Sequence, residues 1–287
     1  MIIMPDLKTS LLDLLFELKD TDIKLIIGGG FGIFLKIEHV KQLRIRTLLQ
    51  ELPEARSTND IDLFLRPELL IHSEKLKPMA NAFKKLGYRV VAGAEKYQFI
   101  KSGEGDTQTS SVKIDILTGP QSYFHNTTVK VDKRRVRPHP SVGIHAHPVD
   151  EAVTLEEELL QKTLAGELTS GEKWQAEIFL PHPYTFLMMK LFAFRDRLNY
   201  ADKEFSRYHA LDIYAILATI TEEEWRSAFK ICKEYSDNRF IKEAGLIVSQ
   251  YFSGIDRMGI IQLQESHYYR HDFQLNEFIS ALTELFR

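Results

Sequence analysis

One cysteine in 287 residues, Cys232, excludes an intrachain disulfide and fits a reducing cytoplasm. Charge of either sign is nearly balanced at −3, so the total exerts no global pull toward nucleic acid, and only a local basic patch stays open. No apolar run approaches the ~18 residues of a membrane span. The opening MPDLKTSLLDLLFELKD is acidic and amphipathic and lacks the basic and then apolar regions of a signal peptide. Internal repeats and low-complexity segments are missing as well. What is present is core material. At 44% hydrophobic and 27% charged, the chain can bury a core, and its length suits one large domain or two ordinary ones.

Periodicity organises the first half. Leu7, Leu11, Leu14, Leu15 and Leu18 keep helical spacing. Lys24–Ile27 is a short strand that ends in Gly28-Gly29-Gly30, and a helix is expected from Phe31 to about Leu52, although LRIR in its later half also fits a strand. Asp60–Leu65 is the next strand. Pro67–Leu86 is expected to be a helix capped by Gly87. Strands follow at Tyr88–Val91, Lys96–Lys101 and Val112–Leu117, with a polar loop over 102–111. Residues 123–149 hold short β-like pieces. Thr154-Leu155-Glu156-Glu157 has the form of a capping box and predicts a helix that stops near Gly166. From Pro183 the chain is helical, with a second capping box at Thr221–Glu224. Alternating strands and helices, then helices alone, predict a mixed-sheet α/β domain over 1–180 and a helical domain over 181–287.

The stretch RSTNDIDLFL poses the chemical question. In a strand, residues i and i+2 point the same way, so Asp60 and Asp62 share one face while Ile61, Leu63 and Leu65 take the other. Two carboxylates this close repel unless a cation lies between them, and Mg²⁺ is a hard cation that oxygen ligands and phosphates share. The alternative is a solvated edge strand. Asp115 in VKIDIL repeats the pattern, and three acids converge if that strand lies beside 60–65. The glycine run places flexible backbone N–H groups at a strand-to-helix turn, where a phosphate can approach. It is neither a Rossmann fingerprint, since position 33 is Ile, nor a P-loop, since no G-K-[ST] follows.

Together, Gly28-Gly29-Gly30, Asp60-Ile61-Asp62 and Asp115 resemble the polymerase-beta-like nucleotidyltransferase superfamily. Within it, IIGGGFGIFL and RSTNDIDL are similar to the AbiEii-type nucleotidyltransferase toxins, whose R-x-[ST]-x-D-[IL]-D motif Arg56, Thr58, Asp60 and Asp62 match position by position. The resemblance spans motifs over about residues 25–217 rather than continuous similarity. It departs from the family in a longer gap between the glycine turn and Asp60, the insertion 36–55. It implies a polymerase-beta-like nucleotidyltransferase domain followed by helices. It further implies transfer of a nucleoside monophosphate from an NTP to a hydroxyl of RNA, with tRNA among the candidates, or of protein. In that picture Asp60, Asp62 and Asp115 are catalytic and hold Mg²⁺. Gly28, Gly29, Gly30, Arg56, Thr58 and Lys190 bind nucleotide, and Asp212 and Arg197 support them. An antitoxin protein is the partner such a toxin would have, and no membrane is involved. Two rivals stand beside this reading: a non-catalytic nucleotide- or protein-binding regulatory module, and a small-molecule (antibiotic-type) nucleotidyltransferase.

Three features sit outside that scheme. His145 and His147 alternate on one strand face with His139 nearby and could pair on a metal, but a third ligand is not evident. Lys130–Arg137 carries five bases in eight residues and reads as an RNA-phosphate contact or as a solvated hairpin. The aromatic tail (Tyr268, Tyr269, Phe273, Phe278, Phe286) reads as helix packing.

Overall fold

The computed structural model describes residues 4–54, 56, 58–101, 111–132 and 135–287. The chain divides into two compact units. One comprises Met1–Gly32, Ser57–Asp150 and Leu159–Leu180; the other comprises Ile33–Arg56, Glu151–Glu158 and Pro181–Arg287. The last crossing falls between Leu180 and Pro181, and two earlier segments, 33–56 and 151–158, group with the helices.

The first unit is built on a mixed sheet, eight-stranded among the described residues. Its strands are β1 (Ile26–Ile27), β2 (Asp60–Leu65), β3 (Arg89–Val90), β4 (Gln98–Lys101), β5 (Val112–Thr118), β8 (His147–Pro148), β9 (Leu160–Glu167) and β10 (Lys173–Leu180). The order is β3-β4-β5-β2-β1-β10-β9, with β8 added to β5. A separate hairpin joins β6 (Lys130–Asp132) to β7 (Arg135–Arg137). Helix α1 (Met4–Glu17) buries the predicted leucine stripe, and Phe16 meets the Trp174 ring edge-on at 5.3 Å. Gly166 gives α1 its close approach to β9, since a Cβ there would lie 2.8 Å from a Leu12 methyl.

Three helix expectations change. The segment 154–166 is not a helix: Leu160–Glu167 is an eight-residue strand paired antiparallel with β10. The Thr154 hydroxyl lies 2.8 Å from that of Thr185, Glu157 accepts from the Tyr235 hydroxyl at 2.5 Å, and so neither side chain is left to cap a helix. Downstream, the alternation that buries Lys162 and Leu164 selects strand. The helix foreseen over 31–52 is α2 (Gly29–Leu43), which stops before Arg44, whose φ is +51°. Pro67–Leu86 is interrupted, running as α3 (Pro67–Ile71), a 3₁₀ turn (Ser73–Leu76) and α4 (Lys77–Lys85), because Pro78 cannot donate to an unbroken helical ladder. Gly87, at φ +80°, follows α4 as the left-handed residue expected there. The predicted polar loop lies outside the described residues except for Ser111.

The second unit is helical: α5 (Pro183–Arg197), α6 (Glu204–Ala218), α7 (Glu222–Glu234), α8 (Arg239–Tyr251), α9 (Met258–Gln264) and α10 (Leu275–Leu285), with most of α2. Pro183 opens α5, and Thr221 and Glu224 form the reciprocal cap of α7. Helices α5 and α6 pack on each other and bury nearly every residue of α5's first three turns. The aromatic tail packs inward: the Phe273 ring stacks on Tyr214 at 4.2 Å, and Phe278 is fully buried. Leu48 donates to the Ile220 carbonyl at 2.7 Å, which anchors part of the 36–55 insertion within this unit. Among the described residues, no helix is long and apolar enough to cross a membrane.

Candidate active site

The acid face lies in the first unit. Strands β2 and β5 run parallel in a register that sets Asp60 beside Lys113 and Asp62 beside Asp115. Register partners share a face, so the three carboxylates stand together on one side of the sheet. Burial alternates strictly along β5, with Val112, Ile114 and Ile116 inside and Lys113 and Asp115 on the half-buried face. On β4, Gln98 is the register partner of Asp115. Thr58 accepts a 3.4 Å hydrogen bond from the Asp60 N–H, tying the strand's entry to its first acid.

The glycine turn abuts this face. Gly28 N–H donates to the Asp62 carbonyl at 2.8 Å and so continues the β1–β2 pairing. Gly29 has φ +62°, and a Cβ built on it would overlap the Asp62 carboxylate, lying 2.7 Å from Asp62 Cγ. Gly28 is equally confined, by the Phe64 ring. Glycine is therefore required here for two separate reasons, backbone conformation and close approach. Since the Gly28 N–H already has its acceptor, the amides that open α2 at Gly29 and Gly30 are the ones placed to meet an anion.

Sequence reasoning missed Lys113. Its ammonium donates to Asp115 Oδ2 at 2.9 Å. Burial would lower its pKa, but the hydrogen bond to Asp115 and the charges of Asp115, Asp60 and Asp62 raise it above the ordinary lysine value. The other oxygen, Asp115 Oδ1, is buried and accepts no hydrogen bond from any described residue. The signal lay in the strand alternation, which puts Lys113 on the Asp115 face.

A second cluster belongs to the helical unit. Asp212, on α6, is buried and accepts a forked pair from Arg56, Nε to Oδ1 at 3.0 Å and Nη2 to Oδ2 at 3.2 Å. Lys190, buried on α5, donates to the same Oδ2 at 2.7 Å. Burial would raise the Asp212 carboxyl, yet the Arg56 and Lys190 charges and the Arg56 hydrogen bond hold it well below the usual carboxylate range. Arg56 also lies over the Tyr208 ring, 5.3 Å from its centroid. Arg197 turns to His209, its Nη1 lying 3.0 Å from the imidazole Nε2. Burial, with Lys190 close by, holds His209 neutral, well below its ordinary pKa. The candidate residues thus resolve into two sets: Gly28–Gly30, Thr58 and the three acids in the first unit, and Arg56, Lys190, Asp212 and Arg197 in the second.

The remaining candidates have local partners. His145 Nδ1 lies 2.7 Å from the Glu95 carbonyl, and the His147 ring packs against Tyr97. Among the described residues, no group of three or more His, Cys, Asp and Glu side chains is gathered so that it could hold a metal ion, the Asp60, Asp62 and Asp115 set included. On the β6–β7 hairpin, Asp132 accepts from Arg135 at 3.0 Å and pairs with Arg137 at 3.6 Å, and Arg135 also pairs with Glu95, so these two arginines are met locally. Lys133 and Arg134 lie outside the described residues.

No protein-family model matches the chain, and no curated protein matches it. Among solved structures, the chain is similar to the solution structure of the antibiotic-resistance factor ANT(2'')-Ia, with 14% identity over 83% of this chain and 100% of that one and a TM-score of 0.36. At that level of superposition the likeness assigns no role to any residue.

Proposed function

We propose that the chain is a Mg²⁺-dependent nucleotidyltransferase of the polymerase-beta-like kind, moving a nucleoside monophosphate from an NTP to an acceptor hydroxyl. The observation that carries this reading is the β2–β5 register, which sets Asp60, Asp62 and Asp115 on one face with the Gly28–Gly30 turn against Asp62. The donor atoms are of the kind a hard cation takes, all carboxylate oxygens with Asp115 Oδ1 a buried acceptor that no described residue satisfies, and the three side chains would have to draw together to hold it. Asp60 and Asp62 would hold Mg²⁺, and Asp115 would complete the set. When bound, the cation neutralises charge on the phosphates.

This chain's own groups account for the rest. The Gly29 and Gly30 amides donate to the outer phosphate oxygens. Asp115 accepts the proton of the acceptor hydroxyl as that oxygen bonds to the α-phosphorus and the bond to the β-phosphate oxygen breaks, releasing pyrophosphate. The motif resemblance alone gives Lys190 and Arg56 to the nucleotide; within the helical unit Asp212 fixes both cations and His209 meets Arg197. On the motif resemblance to AbiEii-type toxins, the acceptor is RNA or protein, and an antitoxin protein is the partner.

The test is label transfer. Each α-labelled NTP is incubated with the protein, Mg²⁺ and total RNA or protein, beside an Asp62→Asn control. Mg²⁺-dependent label on one acceptor class, absent from the control, is expected. Nucleotide binding without transfer to any acceptor would replace this reading with that of a regulatory binding module.

A further inference from the structure

We infer that the insertion between the glycine turn and Asp60 carries a docking site for an acidic amphipathic segment of a protein partner. Lys41, Arg44 and Arg46 bind its carboxylates, and the aliphatic cavity they border takes one of its apolar side chains. The inference stands apart from the nucleotidyltransferase reading, and all of its residues belong to the helical unit.

Residues 41–46, KQLRIR, are all exposed. The side chains of the three cations have no ion-pair or hydrogen-bond partner among the described residues, whereas Glu224 and Glu51 of the same unit are already held by Lys36 and Arg270. Leu43 stands among the cations at 60% exposure and Ile45 at 36%. Lys41, Arg44, Arg46 and Ile45 line a cavity of about 350 Å³ together with the buried Val40 and Leu49. The negative end of α2 accounts for Lys41 but not for the two arginines. Arg44 is moreover costly where it is. The Ile45 N–H donates to the Val40 carbonyl at 3.1 Å and closes the end of α2, a closure that needs a left-handed residue between helix and donor. Glycine takes the φ of +51° found there without strain, and arginine does not. An arginine kept at such a position, exposed and unpaired, points to a use for its side chain. The shape then selects the ligand. A recess cannot receive the flat surface of a bilayer, and no aromatic side chain lines this one for a base to stack on. Cations around an aliphatic recess match carboxylates that flank an aliphatic side chain, the pattern of an acidic amphipathic peptide.

The experiment is fluorescence anisotropy of a labelled peptide of Glu-Asp-Leu repeats with the full-length chain. Its competitors are the same peptide with serine for leucine, single-stranded RNA, and phosphatidylserine vesicles. The leucine peptide should bind the wild type, and every competitor should be weaker by about tenfold or more. Lys41→Ser with Arg46→Ser should lose about tenfold in affinity, since a hydrogen bond to a charged group carries at least that much. Arg44→Gly should lose as much, yet melt level with the wild type or up to about 4 °C above it, because the turn is relieved. An arginine that served the fold alone would show the reverse, a lower melting temperature with binding intact. Where Arg44→Gly melts lower and also loses binding, the Lys41→Ser, Arg46→Ser variant decides. Wild-type affinity in that variant, a serine peptide that binds as well as the leucine one, preference for RNA or vesicles, or no binding of any probe overturns the docking site. None of these outcomes touches the nucleotidyltransferase reading, which label transfer tests separately.

Discussion

Gly29→Ala separates two costs that the structure assigns to one position. Gly29 holds φ +62°, where an alanine is strained by about 1–2 kcal/mol. The unfolded chain returns part of that, since alanine has less freedom to lose, by about 0.4–1 kcal/mol. Gly87 measures this backbone contribution alone: its φ is +80° and a Cβ there meets nothing within 4 Å. At Gly29 the added Cβ also falls on the Asp62 carboxylate, 2.7 Å from Cγ, so the side chain must leave its rotamer or the turn must shift, at about 1–3 kcal/mol. Gly29→Ala should therefore cost about 2–4 kcal/mol and Gly87→Ala about 1 kcal/mol or less. Truncating Asp62 to alanine leaves only its Cβ, 3.1 Å from the new methyl. The double variant should then recover about 1–2 kcal/mol relative to the sum of the single changes. Urea titration in EDTA reads this out through Trp174, which lies on β10 of the same unit, in a Trp225→Phe background that silences the helical unit. Equal losses for Gly29→Ala and Gly87→Ala, with no coupling to Asp62, would refute the close approach of the turn to the acid.

Asp60→Asn and Asp62→Asn should each abolish Mg²⁺-dependent label transfer while the metal-free melting temperature holds or rises, because one of several like charges has been removed; near-normal turnover in either would dismiss the carboxylates as metal ligands. Lys190→Ala should weaken NTP binding more than NMP binding in equilibrium titration, and equal losses would reduce Lys190 to a partner of Asp212. Asp212→Ala strands two cations against each other in a buried site and should cost about 3–5 kcal/mol in chemical denaturation. On acidification the melting temperature should fall in two stages: first as pH drops through about 6.5, where the unfolded chain protonates histidines that burial keeps neutral in the fold, His209 foremost, and again below about 4, where Asp212 loses its depressed-pKa advantage. His209→Leu should make the first stage shallower.

How much of this was legible depended on whether the signal was local. The face shared by Asp60 and Asp62 follows from strand period alone, as does the burial of Ile61 and Leu63. The α7 cap was readable because both of its partners lie within four residues. The same pattern at Thr154 misled, since the Thr154 hydroxyl meets Thr185, 31 residues on, which no short window contains. Lys113 was within reach: the alternation that assigned Asp115 a face assigns Lys113 the same one, but a charge between two apolar residues is easily passed over as solvated. The Arg56–Asp212 fork was out of reach, because its members stand 156 residues apart and only the folded helical unit joins them. The resemblance named both residues, though only the structure pairs them. The grouping of 33–56 and 151–158 with the helices was out of reach for a related reason, since a single cut cannot describe a chain that passes between its units five times.

Those crossings bear on how the protein is made. A segment emerging early, 33–56, belongs to a unit whose helices are translated last. Between the appearance of Arg56 and that of Asp212 the ribosome must add 156 residues, about 8–30 s of synthesis at ordinary bacterial-to-eukaryotic rates. For that interval the guanidinium lacks Asp212, and the Leu48 N–H lacks the Ile220 carbonyl to which it donates in the finished protein. The sheet, by contrast, has all of its strands once Leu180 has left the tunnel. Nascent chains stalled far enough beyond 180 for Leu180 to have cleared the tunnel should thus resist protease over the sheet while remaining open to cleavage across 33–56, a waiting tract that a chaperone would meet before its own partners do.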